Sequence, residues 1–310
     1  MGRQKVLVLG GTGMLGAMVV DTFSREPEVD VAATVRKESL LSRWRAFYPA
    51  VSWLMLDAES FPEVEVASAV RGFSWVVNCI GIIKPYIRDD RAAEVERAIR
   101  VNALFPHLLG RAAGKAGAKV LQIATDCVYS GAKGKYRECD PHDALDVYGK
   151  TKSLGEANLP NLHNLRCSII GPEHKSFLSL LEWFRRQPEK GKVGGFVNHE
   201  WNGVTTLHFA RLCLGIIRKN LTLPNLQHVV PDGTVSKEAL LRHFAVAFGR
   251  GDIMIDPVQA KTVVDRTLGT ENVEGNLALW KAAGYPTPLS VPQMVEELGK
   301  KHFPWQVEGR

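Results

Sequence analysis

Two side chains that can take part in proton transfer, Tyr148 and Lys152, lie four residues apart in the chain. Residues at this spacing lie on one face of a helix, so we expect the phenol and the ammonium group to be neighbours. A free tyrosine has a pKa of about 10, and a nearby positive charge stabilises the phenolate and lowers that value. The pair therefore indicates a tyrosine that acts as a general acid, although the same spacing occurs by chance in many helices with only a structural role.

The hydroxyl group of Thr125 supports the catalytic interpretation. It follows residues 120–124, an apolar run that is typical of a strand buried in a parallel sheet. Ligands of such sheets bind outside the carboxyl ends of the strands. We therefore expect Thr125 to face the carbonyl group of a substrate, with Asp126 and Cys127 as candidate substrate contacts.

A glycine-rich turn with the pattern Gly-x-Gly-x-x-Gly, at Gly11, Gly13 and Gly16, joins the first predicted strand to the first predicted helix. Glycine tolerates positive φ and lets a pyrophosphate approach the backbone, and the helix N-terminus offers free N–H groups to the anion. The turn therefore predicts a dinucleotide site, and the alternative is a glycine turn without a ligand. The candidate cofactor-binding residues of this turn are Gly10, Gly13, Met14, Leu15 and Gly16.

The end of the second predicted strand, residues 29–35, favours NADP(H) over NAD(H). In dinucleotide-binding folds an acidic residue there binds the ribose 2′-hydroxyl, whereas arginine accommodates a 2′-phosphate. Here Arg36 and Lys37 follow the strand. The planar guanidinium group of Arg36 can donate two hydrogen bonds to a phosphate, and Lys37 adds a second positive charge. The alternatives are NAD(H) as cofactor and a solvated basic turn.

Asp57, after the third predicted strand, is either a contact to the adenine amino group or an ordinary turn residue.

The elements that must position these groups alternate between strand and helix patterns. Apolar strand candidates lie at residues 5–9, 29–35, 51–56, 75–80, 120–124 and 165–170. Helical patterns cover residues 91–114, with a kink expected at Pro106, and residues 147–159. This order predicts an α/β fold with a doubly wound parallel sheet of the Rossmann type.

Beyond Gly171 and Pro172 the sequence predicts a smaller, mostly helical part. Its helix candidates lie at residues 177–187, 207–219, 237–248 and 292–300, and residues 190–195 form a glycine-rich stretch. We assign residues 1–170, with residues 202–225 returning, to an NADP-binding Rossmann domain, and residues 171–201 and 226–310 to a substrate-binding cap. The cleft between the two parts is the expected site.

The composition is that of an ordinary globular protein, with 310 residues, 45% hydrophobic, 23% charged, and a net charge of +6. The basic residues are scattered, which favours a small anionic ligand over a nucleic acid. No apolar run approaches the roughly 20 residues that span a bilayer, so we predict no membrane span. Five widely spaced cysteines and the lack of a signal-peptide pattern favour a cytoplasmic location. The histidines show no metal-binding spacing, so we expect no catalytic metal.

Together with the glycine turn, Thr125, Tyr148 and Lys152 resemble the catalytic set of the extended short-chain dehydrogenase/reductase family. Two blocks, residues 124–131 and 148–156, are similar to those of its dTDP-4-dehydrorhamnose reductase branch. The resemblance implies that NADPH reduces a nucleotide-linked 4-keto-6-deoxy sugar, dTDP- or UDP-linked, at C4. Tyr148 would supply the proton, Thr125 would hydrogen-bond the carbonyl oxygen, and Lys152 would bind the nicotinamide ribose.

The same resemblance extends to two stretches on the cofactor side. Residues 78–81, Asn-Cys-Ile-Gly, correspond to the small-residue turn that lies beside the cofactor in this family. Residues 101–103, Val-Asn-Ala, correspond to a helix element of the family. Cys79, Gly81 and Asn102 are therefore candidate cofactor contacts.

The chain departs from the rhamnose-forming pattern on the substrate side. Residues 169–172, Ile-Ile-Gly-Pro, lack the aromatic residue typical of that branch, so another sugar or nucleotide stays open. Lys84, just past the cofactor turn, is a candidate contact to a substrate oxygen or phosphate, or else a surface lysine. Asn202 and Thr205 lie in a loop that resembles the substrate-side loop of the family and are candidate sugar contacts.

Two other functions stay open alongside the reductase. A nucleotide-sugar epimerase or dehydratase of the same superfamily would retain its cofactor and commonly prefer NAD, and Arg36 argues against it. A non-catalytic regulatory subunit that keeps the NADP site is the second, and the intact set of Thr125, Tyr148 and Lys152 argues against it. Assembly as a homodimer is also left open.

Overall fold

A parallel sheet forms the centre of the chain, of which the computed structural model describes residues 3–60 and 62–306. In chain order the strands are β1 (Gln4–Leu9), β2 (Val29–Val35), β3 (Ser52–Met55), β4 (Trp75–Asn78), β5 (Lys119–Thr125), β6 (Leu162–Cys167), β7 (Ile169–Ile170), β8 (Lys192–Phe196), β9 (Glu200–Trp201), β10 (Val204–Thr205), β11 (Leu226–His228), β12 (Val235–Ser236) and β13 (Met254–Val258). The described residues place seven of them in the main sheet, in the order β11-β6-β5-β4-β1-β2-β3 with every pair parallel. The predicted doubly wound sheet is confirmed.

Helices cover both faces of this sheet. They are α1 (Met14–Ser24), α2 (Leu41–Phe47), α3 (Glu63–Ala69), α4 (Ala92–Ala98), α5 (Phe105–Lys115), α6 (Val147–Leu154), α7 (Leu180–Arg185), α8 (Thr206–Lys219), α9 (Lys237–Ala247), α10 (Val273–Ala282) and α11 (Val291–Gly299). Alternate residues of β1 point to opposite faces, so Val6 and Val8 pack in the core with α1 and α8, and Leu7 and Leu9 pack with α3 and α5. Burial on both faces explains why this strand is a continuous apolar run.

The strand order reverses direction beside β1. From β1 the chain proceeds outward through β2 and β3, then returns to place β4 on the other side of β1. In a doubly wound sheet, ligands bind in the crevice outside the carboxyl ends of the strands at this switch point. The glycine turn after β1 and the turn after β4 therefore line the same crevice.

The helix predicted over residues 91–114 is interrupted by a π-helical segment, Ile99–Leu104, between α4 and α5. Pro106 follows this segment closely, in the first turn of α5, so the interruption of the helix lies next to the proline at which the sequence predicts a kink. The helix predicted over residues 147–159 is shorter, because α6 ends at Leu154. A Cβ on Gly155 would lie only 1.9 Å from the carbonyl oxygen of Asn102, so the end of α6 and the π-helical segment touch backbone to backbone.

The C-terminal part contains more strand than the sequence predicts. The glycine-rich stretch lies largely in β8, which pairs in parallel with β13, and β9 pairs with β12 in antiparallel orientation. A Cβ on Gly195 would lie 2.8 Å from the Cα of Glu238, so glycine lets β8 and α9 come into contact.

β11 pairs with β6 and extends the main sheet, although the prediction assigns residues 226–310 to the cap. Three residues are too few to show a strand pattern. The division into two domains stays a prediction.

Candidate active site

Thr125 ends β5 and forms the centre of a hydrogen-bonded turn. Its hydroxyl group accepts a hydrogen bond from the N–H of Cys127 and donates one to Oδ1 of Asp126, each at 3.2 Å. These bonds support a short 3-10 turn, residues 126–128, at the carboxyl end of the strand. A side-chain hydrogen bond also joins Thr125 to Tyr148. The structure therefore brings these two predicted catalytic residues together.

The close approach of α6 to this turn depends on Gly149. A Cβ at this position would lie 2.4 Å from the carbonyl oxygen of Cys127, which is far inside van der Waals contact. Asp146 caps the helix by accepting a hydrogen bond from the N–H of Gly149 at 2.8 Å. The ammonium group of Lys84 lies 2.7 Å from the same carboxylate. Lys84 is thus held at the N-terminus of the helix that carries Tyr148, and its contact with a substrate stays a prediction.

Lys152 lies one turn after Tyr148 and is 7% exposed. Its ammonium group donates a hydrogen bond to the carbonyl oxygen of Ile123 in β5 at 3.1 Å. Burial lowers the pKa of Lys152 to about 8, and the negative charge of Glu156 opposes this change. Lys152 therefore titrates just above neutrality.

The pKa of Tyr148 is raised above its usual value. Burial is the main cause, because it withdraws the phenolate from water, and the neighbouring Cys127 and Asp126 further disfavour a negative charge there. The hydrogen bond with Thr125 opposes the rise. The predicted lowering of the pKa of Tyr148 is wrong, because burial of the phenol determines the direction of the change.

Close to Lys152 is a buried arginine network, which consists of Arg166 and its partners Tyr129, His142, Glu156 and His228. Nε of Arg166 donates to Glu156 at 2.9 Å, and one terminal nitrogen contacts the second carboxylate oxygen. The terminal nitrogens also donate to Nε2 of His228 at 2.8 Å, to Nε2 of His142 at 2.7 Å and to the hydroxyl oxygen of Tyr129. Because arginine only donates, both imidazoles are neutral here, and burial lowers the pKa of each. The network holds the side chain of Glu156 in place, and this side chain also acts on Lys152.

The glycine turn after β1 has the shape of a phosphate-binding loop. Gly10 has a φ of +75°, in the left-handed region, and a Cβ on Gly16 would lie 2.1 Å from the carbonyl oxygen of Gly10. Helix α1 begins at Met14, and neither a capping side chain at Gly13 nor an acidic residue in its first turn occupies the N-terminus. The first N–H groups of this helix, including that of Leu15, point toward a site for an anion. The turn therefore fits the pyrophosphate of a dinucleotide.

The end of β2 carries two exposed cations, Arg36 and Lys37. Within residues 3–60 and 62–306 neither of them forms a salt bridge, so both are available to an anion. Asp57, at the end of the neighbouring strand, accepts a hydrogen bond from the N–H of Glu59 at 3.0 Å in a local turn. Its contact with adenine stays a prediction, as do the phosphate contacts of the two cations.

Asn102 lies in the π-helical segment and holds the turn that follows β4. Its side chain accepts a hydrogen bond from the N–H of Ile82 at 2.8 Å and donates one to the carbonyl oxygen of Ile82 at 3.0 Å. Asn102 is buried, so it shapes the turn from behind. In that turn Gly81 is exposed, and burial raises the pKa of the Cys79 thiol. Gly81 is thus open to a cofactor, whereas Asn102 acts by holding the turn.

Asn202 and Thr205 have structural roles in the described part of the chain. The amide group of Asn202 donates to the carbonyl oxygen of Leu268 at 2.7 Å and accepts from its N–H at 2.9 Å. Thr205 is fully buried, and its hydroxyl group caps α8 by accepting from the N–H of His208. Thr205 is therefore not accessible to a sugar. Asn202 also lines a small cavity with Asp126 and Arg266, so its contact with a sugar stays a prediction. Capping residues and ligand contacts are the same polar types, and the sequence cannot separate them.

Two cations that the sequence pattern does not mark lie near the turn at Asp126 and Cys127. Arg266 donates a hydrogen bond to the carbonyl oxygen of Tyr129 at 2.7 Å, and its charge opposes the rise that burial causes in the pKa of Asp126 and Cys127. Lys237, the first residue of α9, is half-buried, and burial together with Arg266 lowers its pKa. Neither residue belongs to a sequence motif, and both come close to Asp126 and Cys127 only in the folded chain.

The described ranges, 3–60 and 62–306, contain no cluster of three or more histidine, cysteine, aspartate or glutamate side chains able to hold a metal ion. In the same ranges no helix has the length and apolar character required to span a membrane.

The doubly wound sheet, the glycine turn after β1 and the group of Thr125, Tyr148 and Lys152 after β5 define a protein of the extended short-chain dehydrogenase/reductase class. The class contains several families that differ in their substrates. The family model described as RmlD substrate binding domain matches residues 4–194, and the chain belongs to this family.

Two curated proteins are similar to part of this chain. The dTDP-4-dehydrorhamnose reductase of Streptomyces griseus is 32% identical over 155 residues, which cover 50% of this chain and 44% of the relative. Methionine adenosyltransferase 2 subunit beta of Bos taurus is 28% identical over 169 residues, 54% of this chain and 46% of the relative. The chain thus spans about half the length of the curated relatives it matches.

A solved structure extends the likeness over nearly the whole fold. The crystal structure of dTDP-4-dehydrorhamnose reductase from Bacillus anthracis in complex with NADP superposes with a TM-score of 0.72 at 16% identity. The superposition covers 96% of this chain and 98% of that chain, which confirms the fold.

Proposed function

We propose that this chain is an NADPH-dependent reductase of a nucleotide-linked 4-keto-6-deoxy sugar, in which hydride is added to C4 and Tyr148 donates the proton. The hydrogen-bonded pair of Thr125 and Tyr148, with Lys152 buried beside it at the carboxyl end of β5, carries the proposal. The likeness to a dTDP-4-dehydrorhamnose reductase supports the substrate class. The nucleotide is dTDP or UDP.

NADP(H) is the proposed cofactor, with NAD(H) as the alternative. The glycine turn, residues 10–16, would hold its pyrophosphate, and Arg36 and Lys37 would hold its 2′-phosphate. Lys152 would hold the nicotinamide ribose. When bound, the nicotinamide supplies the hydride.

Tyr148 performs the proton transfer in the proposed reaction. Its raised pKa keeps the phenol protonated at neutral pH, so a proton is held on Oη beside Thr125. As the substrate carbonyl oxygen gains negative charge, Tyr148 donates this proton to it. The hydroxyl group of Thr125 would rotate its single proton from Asp126 to the same oxygen and donate a hydrogen bond there. A phenol with a raised pKa is a weak acid, so the phenolate that remains requires a nearby positive charge. The ammonium group of Lys152, which stays protonated below about pH 8, supplies that charge.

The test is the oxidation of NADPH by the purified protein, followed by absorbance. dTDP-linked and UDP-linked 4-keto-6-deoxy sugars, one of them N-acetylated, are offered in parallel. Turnover of one donor, abolished in Tyr148→Phe, would support the proposal and identify the nucleotide. If NADPH binds but no donor is reduced, the reductase is overturned.

A non-catalytic NADP-binding subunit is the second candidate. The 28% identity over 169 residues to a methionine adenosyltransferase subunit beta favours it. NADPH binding without turnover of any sugar is the result expected from this alternative. Reduction of a sugar by the wild type but not by Tyr148→Phe would exclude a purely non-catalytic role.

A further inference from the structure

The segment between β7 and α7, residues 171–179, crosses from the end of the sheet to the glycine turn. His174 in this segment donates a hydrogen bond from Nε2 to the carbonyl oxygen of Thr12, which lies inside the glycine turn. The imidazole also packs edge-on against Trp44 of α2, with ring centroids 5.1 Å apart. The glycine turn is itself joined to the carboxyl end of β2, because the N–H of Gly11 donates to the carbonyl oxygen of Thr34 at 2.9 Å. The two contacts therefore fix the segment beside that strand end.

The next residue, Lys175, lies near the charges of Arg36 and Lys37. Partial burial and these two positive charges lower the pKa of Lys175. The side chain remains exposed to solvent, and within residues 3–60 and 62–306 none of the three cations has a salt-bridge partner. Three neighbouring cations without a partner repel one another, and a bound anion removes that repulsion.

Glu173 is the acidic group that lies nearest to Lys175 along the segment, and it is committed elsewhere. Its carboxylate accepts hydrogen bonds from the N–H groups of Leu178 at 3.2 Å and Ser179 at 2.9 Å. Burial raises the pKa of Glu173, so its negative charge is disfavoured. The charge of Glu173 opposes the lowering of the Lys175 pKa, but burial and the two positive charges outweigh it. The carboxylate of Glu173 is used to close the loop and forms no salt bridge with Lys175 among the described residues.

The backbone after Lys175 adopts a conformation that has to be held in place. Ser176 and Phe177 have φ values of +63° and +52°, in the left-handed region that non-glycine residues rarely adopt. The guanidinium group of Arg186 stacks on the ring of Phe177, 3.3 Å from its centroid. Such strain persists where the surrounding contacts determine the conformation, and it concentrates at ligand sites.

We propose that Lys175 is a third cation of the 2′-phosphate site and determines the preference for NADP(H) together with Arg36 and Lys37. The inference rests on the proposed cofactor. The ligand group is a phosphomonoester on the adenosine ribose, since the pyrophosphate belongs at the N-terminus of α1 and the 2′-position belongs at the end of β2. Lys175 acts from the opposite wall of the site, supplied by the segment that leads into α7.

Cofactor binding without a sugar substrate tests the assignment. NADPH and NADH are titrated separately into the wild type, Lys175→Ala and Lys175→Arg, with nicotinamide fluorescence as the readout. We expect Lys175→Ala to weaken NADPH binding about 10-fold or more, because a charge-assisted contact to phosphate is lost, and to leave NADH binding within about two-fold. Lys175→Arg retains most of the affinity. The matched control is Lys281→Ala, an exposed lysine on α10, which leaves both affinities unchanged.

The outcomes separate this assignment from the proposed cofactor. Equal losses of affinity for NADPH and NADH would mean that the segment only supports the fold. Unchanged affinities would mean that Lys175 does not reach the phosphate. Either result overturns the assignment of Lys175 and leaves the proposed cofactor standing. Failure of the wild type to bind NADPH overturns the cofactor and the assignment together. If Lys175→Ala unfolds, Lys175→Arg, which keeps the positive charge, replaces it, and the thermal unfolding midpoints show whether each variant is folded. A folded Lys175→Arg that loses its preference for NADPH contradicts the assignment.

Discussion

Arg166 in the buried arginine network and Arg36 at the end of β2 are two arginines whose surroundings differ in almost every respect. Arg166 is 0% exposed, and its donors meet a carboxylate, two imidazoles and a phenol. Arg36 is exposed, and its neighbours Lys37 and Lys175 carry the same charge. A buried charge is tolerated only when other groups of the protein pair with it. An exposed cluster of charges of one sign is solvated by water and can be neutralised by a bound ligand. The first arrangement therefore indicates a scaffold, and the second indicates a binding site.

The side chains proposed for chemistry lie between these two extremes. Lys152 is buried like Arg166, but within the described part of the chain it donates a single hydrogen bond, to a backbone carbonyl group. Its pKa of about 8 reflects this incomplete compensation. Because Lys152 is only partly paired, its ammonium group can still stabilise a negative charge that develops next to it. The negative charge of Glu156, which belongs to the arginine network, also acts on Lys152.

The largest effect is expected from Tyr148→Phe. Loss of the proton donor should lower kcat by about 10² to 10⁴, the usual contribution of general acid catalysis. NADPH affinity and the free energy of unfolding should change little, because only one hydroxyl group is removed. Stopped-flow or steady-state reduction of the sugar identified above measures the change, with exposed Tyr86→Phe as the control. Near-normal turnover would refute the proposed role of Tyr148.

Arg166→Met tests the scaffold side of the comparison. Removal of the arginine leaves Glu156 buried without its partner, which should lower the free energy of unfolding by about 3–5 kcal/mol. Urea denaturation measures the loss. Arg36→Ala is the matched control and should leave the unfolding midpoint unchanged. A small effect of Arg166→Met would show that the network does not support the fold.

Arg36→Ala tests the ligand side. The loss of a charge-assisted contact to phosphate should raise KM for NADPH by about 10-fold or more and leave KM for NADH nearly unchanged, because NADH has no 2′-phosphate. Steady-state kinetics with each cofactor provides the ratio. Equal changes with both cofactors would remove Arg36 from the selectivity site.

The pH profile should show the smallest effect. The pKa of Lys152 is lowered by burial to about 8, so its positive charge is present below that pH and is lost above it, and kcat/KM should decline as pH rises through about 8. Glu156→Gln removes the charge that opposes the lowering, so the decline should begin at a lower pH and reduce activity at pH 8 by about two- to five-fold. Lys281→Ala, at an exposed position on α10, serves as control and should keep the wild-type profile. A profile that stays flat between pH 7 and 9 would contradict this role.

The sequence predicts those parts of the molecule whose residues lie close together in the chain. The glycine turn and the pair of Tyr148 and Lys152 depend on contacts within one turn or one helix, so their spacing is informative. Arg266 and Lys175 reach the site from distant segments, and no local pattern marks them. The direction of the pKa change at Tyr148 depends on how deeply the folded chain buries it, which spacing cannot indicate. Thr205 shows the reverse error, because its buried hydroxyl group caps α8.

The π-helical segment Ile99–Leu104 also has a consequence for insertions and deletions. Each of its hydrogen-bonded turns contains one residue more than an α-helical turn, so α4 and α5 are out of phase by about 100°. Removal of one residue would restore a regular helix and rotate Asn102 away from at least one of its two bonds to Ile82. The turn beside β4 would then lose its support even though every side chain type was retained. At this place the number of residues, and not only their identity, is a requirement for the site.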